Sequence, residues 1–187
     1  MSCTTGIAKN ITSDCTTQPV GGLEAVAYIF NRDDMTITYD GTNASKVTTI
    51  AKAGSDVAYK YTGVKKNLNA GHDRVVQDEL ADTFAHYFAL KGFEVAADSI
   101  ENMDGLNNVC VVVEFKHKPT DADGTFVAYG LKSGLYPSSD VRRANENNGV
   151  RAIELQTRDG EGEPYSQYNV LSTDYATTKS MLEGLLT

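Results

Sequence analysis

The run Asn108-Val-Cys-Val-Val-Val-Glu114 sets the first limit on what this chain can fold into. Successive β-branched side chains lose rotamer freedom in a helix and pack well on a pleated surface, so residues 109–116 predict a strand with its centre in a core. The same run is the longest apolar stretch in the sequence, far short of the roughly 20 residues that a helix needs to cross hydrocarbon, and no membrane association is expected. A buried strand needs enough chain around it. The 187 residues suffice for one ordinary core and make two full domains improbable.

Other segments arrange themselves around this strand. Residues 1–22 are rich in Ser, Thr, Gly and Asn without a period and predict an arm. Residues 23–30, the polar break Asn31-Arg-Asp-Asp34 and the alternating Met35-Thr-Ile-Thr-Tyr39 predict a hairpin closed before Asp40-Gly41. Residues 47–51 and 57–62 are two further short strands. The stretch 73–93 reads two ways. At helical spacing Val76, Leu80, Phe84 and Phe88 form one stripe before Gly92, and propensity favours this helix. At period two, Phe84, His86, Phe88 and Leu90 share one side while Tyr87 and the alanines form a small-residue outer side. A short helix is expected near 96–106, a hairpin through Pro119-Thr-Asp-Ala-Asp-Gly124 into residues 125–131, and a strand at 150–157. In the polar tail, Met181, Leu182, Leu185 and Leu186 suit a final helical turn docked on a neighbour.

Charge narrows the function classes. With 17 Lys and Arg against 25 Asp and Glu the net charge is −8, which opposes nucleic-acid affinity in the absence of a basic patch. Lys65-Lys66 and Arg142-Arg143 are too short for one. Cys3, Cys15 and Cys110 have no metal or thiol-exchange spacing and read as free thiols, with a Cys3–Cys15 disulfide as the alternative. His72, His86 and His117 lie far apart, and Asp121, Asp123 and Gly124 form only the opening of a calcium-loop pattern, which reads as a turn. No nucleophile elbow, phosphate loop or dinucleotide turn occurs. The acidic groups Asp33 with Asp34, Asp78 with Glu79 and Asp82, and Glu161 with Glu163 could supply paired carboxylates, although such neighbours are usually solvated loops. No enzyme activity, cofactor or metal is expected.

The order of the pieces carries a resemblance. Cys15 ahead of Gly21-Gly22-Leu23-Glu-Ala-Val-Ala-Tyr28 resembles the start of tail tube proteins of phages infecting Bacteroides-like hosts. So does the succession of residues 83–91, the helix near Ile100, residues 108–114, the Asp-Gly turn, and Val127-Ala-Tyr-Gly-Leu131 with Ser133-Gly-Leu135. Residues 150–157 and Pro164 complete it. The acidic stretch 78–82 and the polar tail after Tyr165 depart from that pattern, so a related neck or connector ring protein fits nearly as well.

The resemblance implies a mainly β fold, a β-sandwich or small barrel of the tail tube type with one flanking short helix and extended arms, in which residues 83–90 are a strand. It implies an N-terminal arm at 1–22, a core at 23–170 with an inter-subunit loop at 42–62, and a tail at 171–187. The implied role is structural: a ring of six or twelve copies, joined to other neck or tail proteins, around a channel through which double-stranded DNA passes unbound. Such a chain would be made in the host cytoplasm and reside in the virion. Asp33, Asp34, Glu114 and Glu154 are the acidic side chains expected to line the channel. Two other classes stay open, a soluble binding or adhesion module and a hydrolase working through separated carboxylates.

Overall fold

The computed structural model describes residues 20–64, 66–78, 81–146 and 149–186. The expected arm and the Cys3–Cys15 pairing therefore fall largely outside the described residues. In chain order the elements are β1 (Leu23–Asn31), a 3₁₀ turn (Arg32–Asp34), β2 (Met35–Tyr39), β3 (Lys46–Lys52), β4 (Tyr59–Thr62), β5 (Leu68–Val75), β6 (Thr83–Gly92), α1 (Ala97–Asp104), β7 (Val109–Phe115), β8 (Phe126–Tyr129), β9 (Tyr136–Val141), β10 (Arg151–Gln156), β11 (Tyr168–Val170) and α2 (Tyr175–Gly184).

The β-branched run becomes β7, buried from Val109 through Glu114. Because it has no polar side, water must be excluded from both faces of the sheet that contains it. That sheet has seven strands in the order β2-β3-β11-β8-β7-β1-β4. On one face Ala27, Ile29, Val111, Val113, Val127 and Tyr129 meet Phe88, Leu90, Ile153 and Leu155 of a second sheet, ordered β5-β6-β10-β9. On the other, Tyr28, Phe30, Cys110, Val112, Phe126 and Val170 pack with Leu182 and Leu185 from α2 and the residue that follows it. The helix starts at Asp174, whose carboxylate accepts the Thr177 amide at 2.7 Å, satisfying one of the free donors of the first turn. Its last turn is tied down where the Ala58 amide donates to the Leu185 carbonyl.

This arrangement overturns the expected sandwich or small barrel of the tail tube type. The molecule is a mixed two-sheet fold with helices. Both sheets are open, ending on β2 and β4 in one and on β5 and β9 in the other. The larger sheet contains a parallel pair, β3 with β11, and carries α2 as a third layer. The physical reason is the double-sided burial of β7 and β1, which two packed sheets alone would leave half exposed.

Several local expectations also change. β1 and β2 do not form a hairpin. β1 pairs with β7 and β4, and β2 pairs with β3, because β1 is apolar on both sides from Ala27 to Phe30 and takes an interior place. The strand expected at 83–90 is present as residues 83–92 with alternating burial, and the helical alternative favoured by the propensity of Ala and Leu is not formed. The 42–62 segment contributes β3 and β4 to the larger sheet, and residues 97–104 form α1, which has no buried residue. The tail docks on its own chain through α2. Three strands, β5, β9 and β11, have no counterpart in the sequence reading.

Removing the anchor of α2 tests the third layer. Leu182 is fully buried, so Leu182→Ala should cost about 2–5 kcal/mol in a urea titration. Asp174→Ala, which removes only the cap, should lower the urea midpoint by a smaller amount.

Candidate functional site

The reactive side chains of the core are held by one another and by backbone. His86 projects inward from β6 and is fully buried. Its Nε2 lies 2.8 Å from the Tyr165 carbonyl and its Nδ1 accepts the Gly130 amide at 3.1 Å, which fixes a neutral ring with its proton on Nε2. Burial lowers its pKa from the ordinary 6.5, and the opposing pull of the Glu163 charge is smaller. Glu163 is likewise fully buried. It accepts the backbone amides of Lys132 at 2.9 Å and Ser133 at 2.8 Å on one oxygen and the Tyr168 hydroxyl at 2.8 Å on the other. Burial, reinforced by that carboxylate, pushes the Tyr168 hydroxyl up.

Cys110 donates its thiol to the Gly130 carbonyl at 3.1 Å, and burial pushes its pKa up as well. Cys110 and His86 therefore both bond Gly130, among the described residues no hydrogen bond joins them to each other, and a raised thiol pKa is the reverse of what a nucleophile needs. Together these groups pin the turn after β8 to β6. Gly130 sits at φ 76° with the Leu135 side chain and Gly134 backbone packed where a Cβ would go, so no other residue fits there.

The four acidic residues expected at a channel occupy three separate places. Asp33 and Asp34 lie in the 3₁₀ turn, where Asp33 approaches Arg32 at 3.4 Å and Asp34 accepts from Asn31 at 2.7 Å. Glu114 is buried under the start of α2, accepting the Tyr175 hydroxyl at 2.8 Å and pairing with Lys118 at 3.0 Å. Only Glu154 stands on an open face, that of the smaller sheet. Of the other candidates, Asp123 bonds Asn169 and pairs with Lys46, holding the β7–β8 turn to β3 and β11. Asp82 pairs with Arg74 at 2.9 Å, and Arg143 with Glu146. Lys65 and Glu79 lie outside the described residues. Among the described residues no group of three or more His, Cys, Asp or Glu side chains is placed to hold a metal ion, and no helix is long and apolar enough to cross a membrane.

The outer face of the smaller sheet is different in kind. Register places Gly71 of β5 and Gln156 of β10 on either side of Tyr87 on β6, and Asn69 and Glu154 on either side of Ala89. Asp73 faces Ala85, and Lys91 faces Ala152. The side chains of Asn69, Asp73, Lys91, Glu154 and Gln156 and the Tyr87 hydroxyl make no hydrogen bond or ion pair among the described residues. The edge of the Tyr87 ring lies over Gly71, where an added Cβ would come within 2.8 Å of Cε1. An aromatic ring is thus laid across a floor of Gly and Ala and ringed by unengaged amides and charges. The outer row of β6 follows from the period-two reading of residues 83–90. The β5 contribution had no signal beyond Gly71, because Asn, His and Asp are poor strand formers.

No family model matches the chain, and comparisons with curated proteins and with solved structures return no match. The functional reading rests on this surface and on the buried network behind it.

The His86 environment has a pH signature. Its folded pKa is below the unfolded value of 6.5, so the unfolded chain binds the extra proton first. Stability is full above that value and falls as pH drops below it. His86→Gln should be less stable at pH 7 and show a flatter decline between pH 7 and 5, read from urea midpoints at each pH.

Proposed function

We propose that this chain is a non-catalytic binding module of the adhesion type, with the outer face of the smaller sheet as its recognition surface. One observation carries the reading: among the described residues the Tyr87 hydroxyl and five polar side chains of that face make no hydrogen bond or ion pair, while the titratable groups of the core are engaged. Catalysis would need a reactive group that is both poised and reachable. His86, Glu163 and Cys110 are sealed within the fold, and the two carboxylates of the open face, Asp73 and Glu154, lie across from β6 residues four apart, Ala85 and Ala89, roughly 13 Å of strand, too far to act as a pair on one bond.

A second reading, a structural ring of the virion enclosing double-stranded DNA and joined to other neck or tail proteins, is favoured by the open edges of the smaller sheet. β5 and β9 flank it on opposite sides, so head-to-tail pairing of copies would continue the sheet, and Asp73 and Glu154 would then face a lumen that repels phosphate. The edges themselves weigh against that pairing. β9 carries Pro137 and a register shift opposite Glu154 and Leu155, and β5 carries Asp73 and Arg74. Proline, bulges and charges are the usual means by which an edge strand is kept from adding another.

Sedimentation velocity over a wide concentration range, with negative-stain microscopy of the same samples, separates the two. A monomer at every concentration is expected. Closed rings or short tubes would overturn the binding-module reading in favour of the virion ring.

A further inference from the structure

We propose that the outer face of the smaller sheet binds a neutral saccharide, stacked on Tyr87 and held through its hydroxyls by Asn69, Asp73, Glu154 and Gln156. This rests on the binding-module reading and names its ligand class.

Three features of the face select that chemistry. The first is relief. Along β6, Tyr87 is flanked by Ala85 and Ala89, and across the sheet it meets Gly71. Nothing larger than a methyl group stands beside the ring on those three sides, and Gly71 allows the side chain to lean over β5. A flat ligand can therefore reach the ring. The electron-rich face of an aromatic ring favours the slightly positive C–H groups that line one side of a pyranose.

The second feature is the kind of polar group. Amides offer both donors and acceptors, and carboxylates accept strongly. Vicinal sugar hydroxyls, each donor and acceptor at once, match that mixture. Asn69 and Asp73 lie on one side of Tyr87 and Glu154 and Gln156 on the other, so both rims of a stacked ring find partners. Asn69 to Asp73 spans roughly 13 Å of strand, room for a short oligosaccharide.

The third is what the face lacks. In the outer rows of β5, β6 and β10 Asp73 and Glu154 outnumber Lys91, and on a chain of net charge −8 they disfavour nucleic acid and sulfated or uronic polymers. An apolar peptide would find no pocket for its side chains, since the floor is Gly and Ala.

The test is calorimetric titration of the full chain with cellohexaose, mannohexaose, xylohexaose and laminarihexaose, with polygalacturonate and oligothymidylate as charged controls. At least one neutral hexasaccharide should bind and neither control should. Tyr87→Ala should weaken binding about tenfold, as expected for a lost stacking contact, while Tyr87→Phe keeps the ring and stays within a few-fold of the parent. Gln156→Ala, at an exposed position whose side chain makes no hydrogen bond among the described residues, should weaken binding a few-fold at unchanged urea midpoint. The inference is overturned if the folded parent binds none of the four sugars, or if Tyr87→Ala binds as tightly as the parent. A monomer that binds no sugar would sink the ligand assignment alone. Closed rings would sink the reading beneath it.

Discussion

Water has to be kept from both faces of β7, and most of the architecture answers that requirement. Val109, Val111 and Val113 point to one side and Cys110 and Val112 to the other, so one covering layer is not enough. The chain supplies two unlike covers, a four-stranded sheet and a ten-residue helix. The sheet gives only its inner row, Phe88, Leu90, Ile153 and Leu155, to the core. Its outer row is released from any packing duty and is free to carry recognition.

The same requirement explains the buried polar groups. Where the turn after β8 passes beneath the smaller sheet, backbone amides at Gly130, Lys132 and Ser133 would be stranded away from water. An unpaired buried donor costs about 1–3 kcal/mol. His86 and Glu163 meet those amides directly. A carboxylate and an imidazole that look like chemistry in a sequence are here spent on backbone. Their burial also gives them no route to a ligand.

Legibility followed how much of each element's reason was local. β7 and β8 with their Asp-Gly turn were readable because β-branched runs and turn residues act over a few positions. The strand at 83–92 was ambiguous because Ala and Leu favour a helix, and only the partners Ile153 and Leu155, far along the chain, decide in favour of the sheet. β5 was invisible: Asn69, Gly71, His72 and Asp73 have little strand propensity and are held by eight consecutive pairings to β6. The Tyr87 row was present in the alternation of one segment, and Glu154 and Gln156 in the expected strand at 150–157. The β5 share, Asn69 and Asp73, depended on a strand without a signal. Glu163, in the run Glu161-Gly-Glu163, looks like solvated loop, and nothing local announces its complete burial.

The place of β11 has a consequence for how the molecule is made. Among the described residues the β2–β3 hairpin joins the rest of the larger sheet through this three-residue strand, which pairs with β3 on one side and β8 on the other. During synthesis the β2–β3 hairpin leaves the ribosome long before β11. Until Tyr168, Asn169 and Val170 arrive, β3 and β8 each present an open edge, and Val47 and Ile50 have no cover from α2. Pairing so distant in sequence is slow, and a nascent chain with two unfilled edges is open to association with its neighbours. A chain halted shortly before Tyr168 would thus contain nearly every strand and still lack the wedge that joins them.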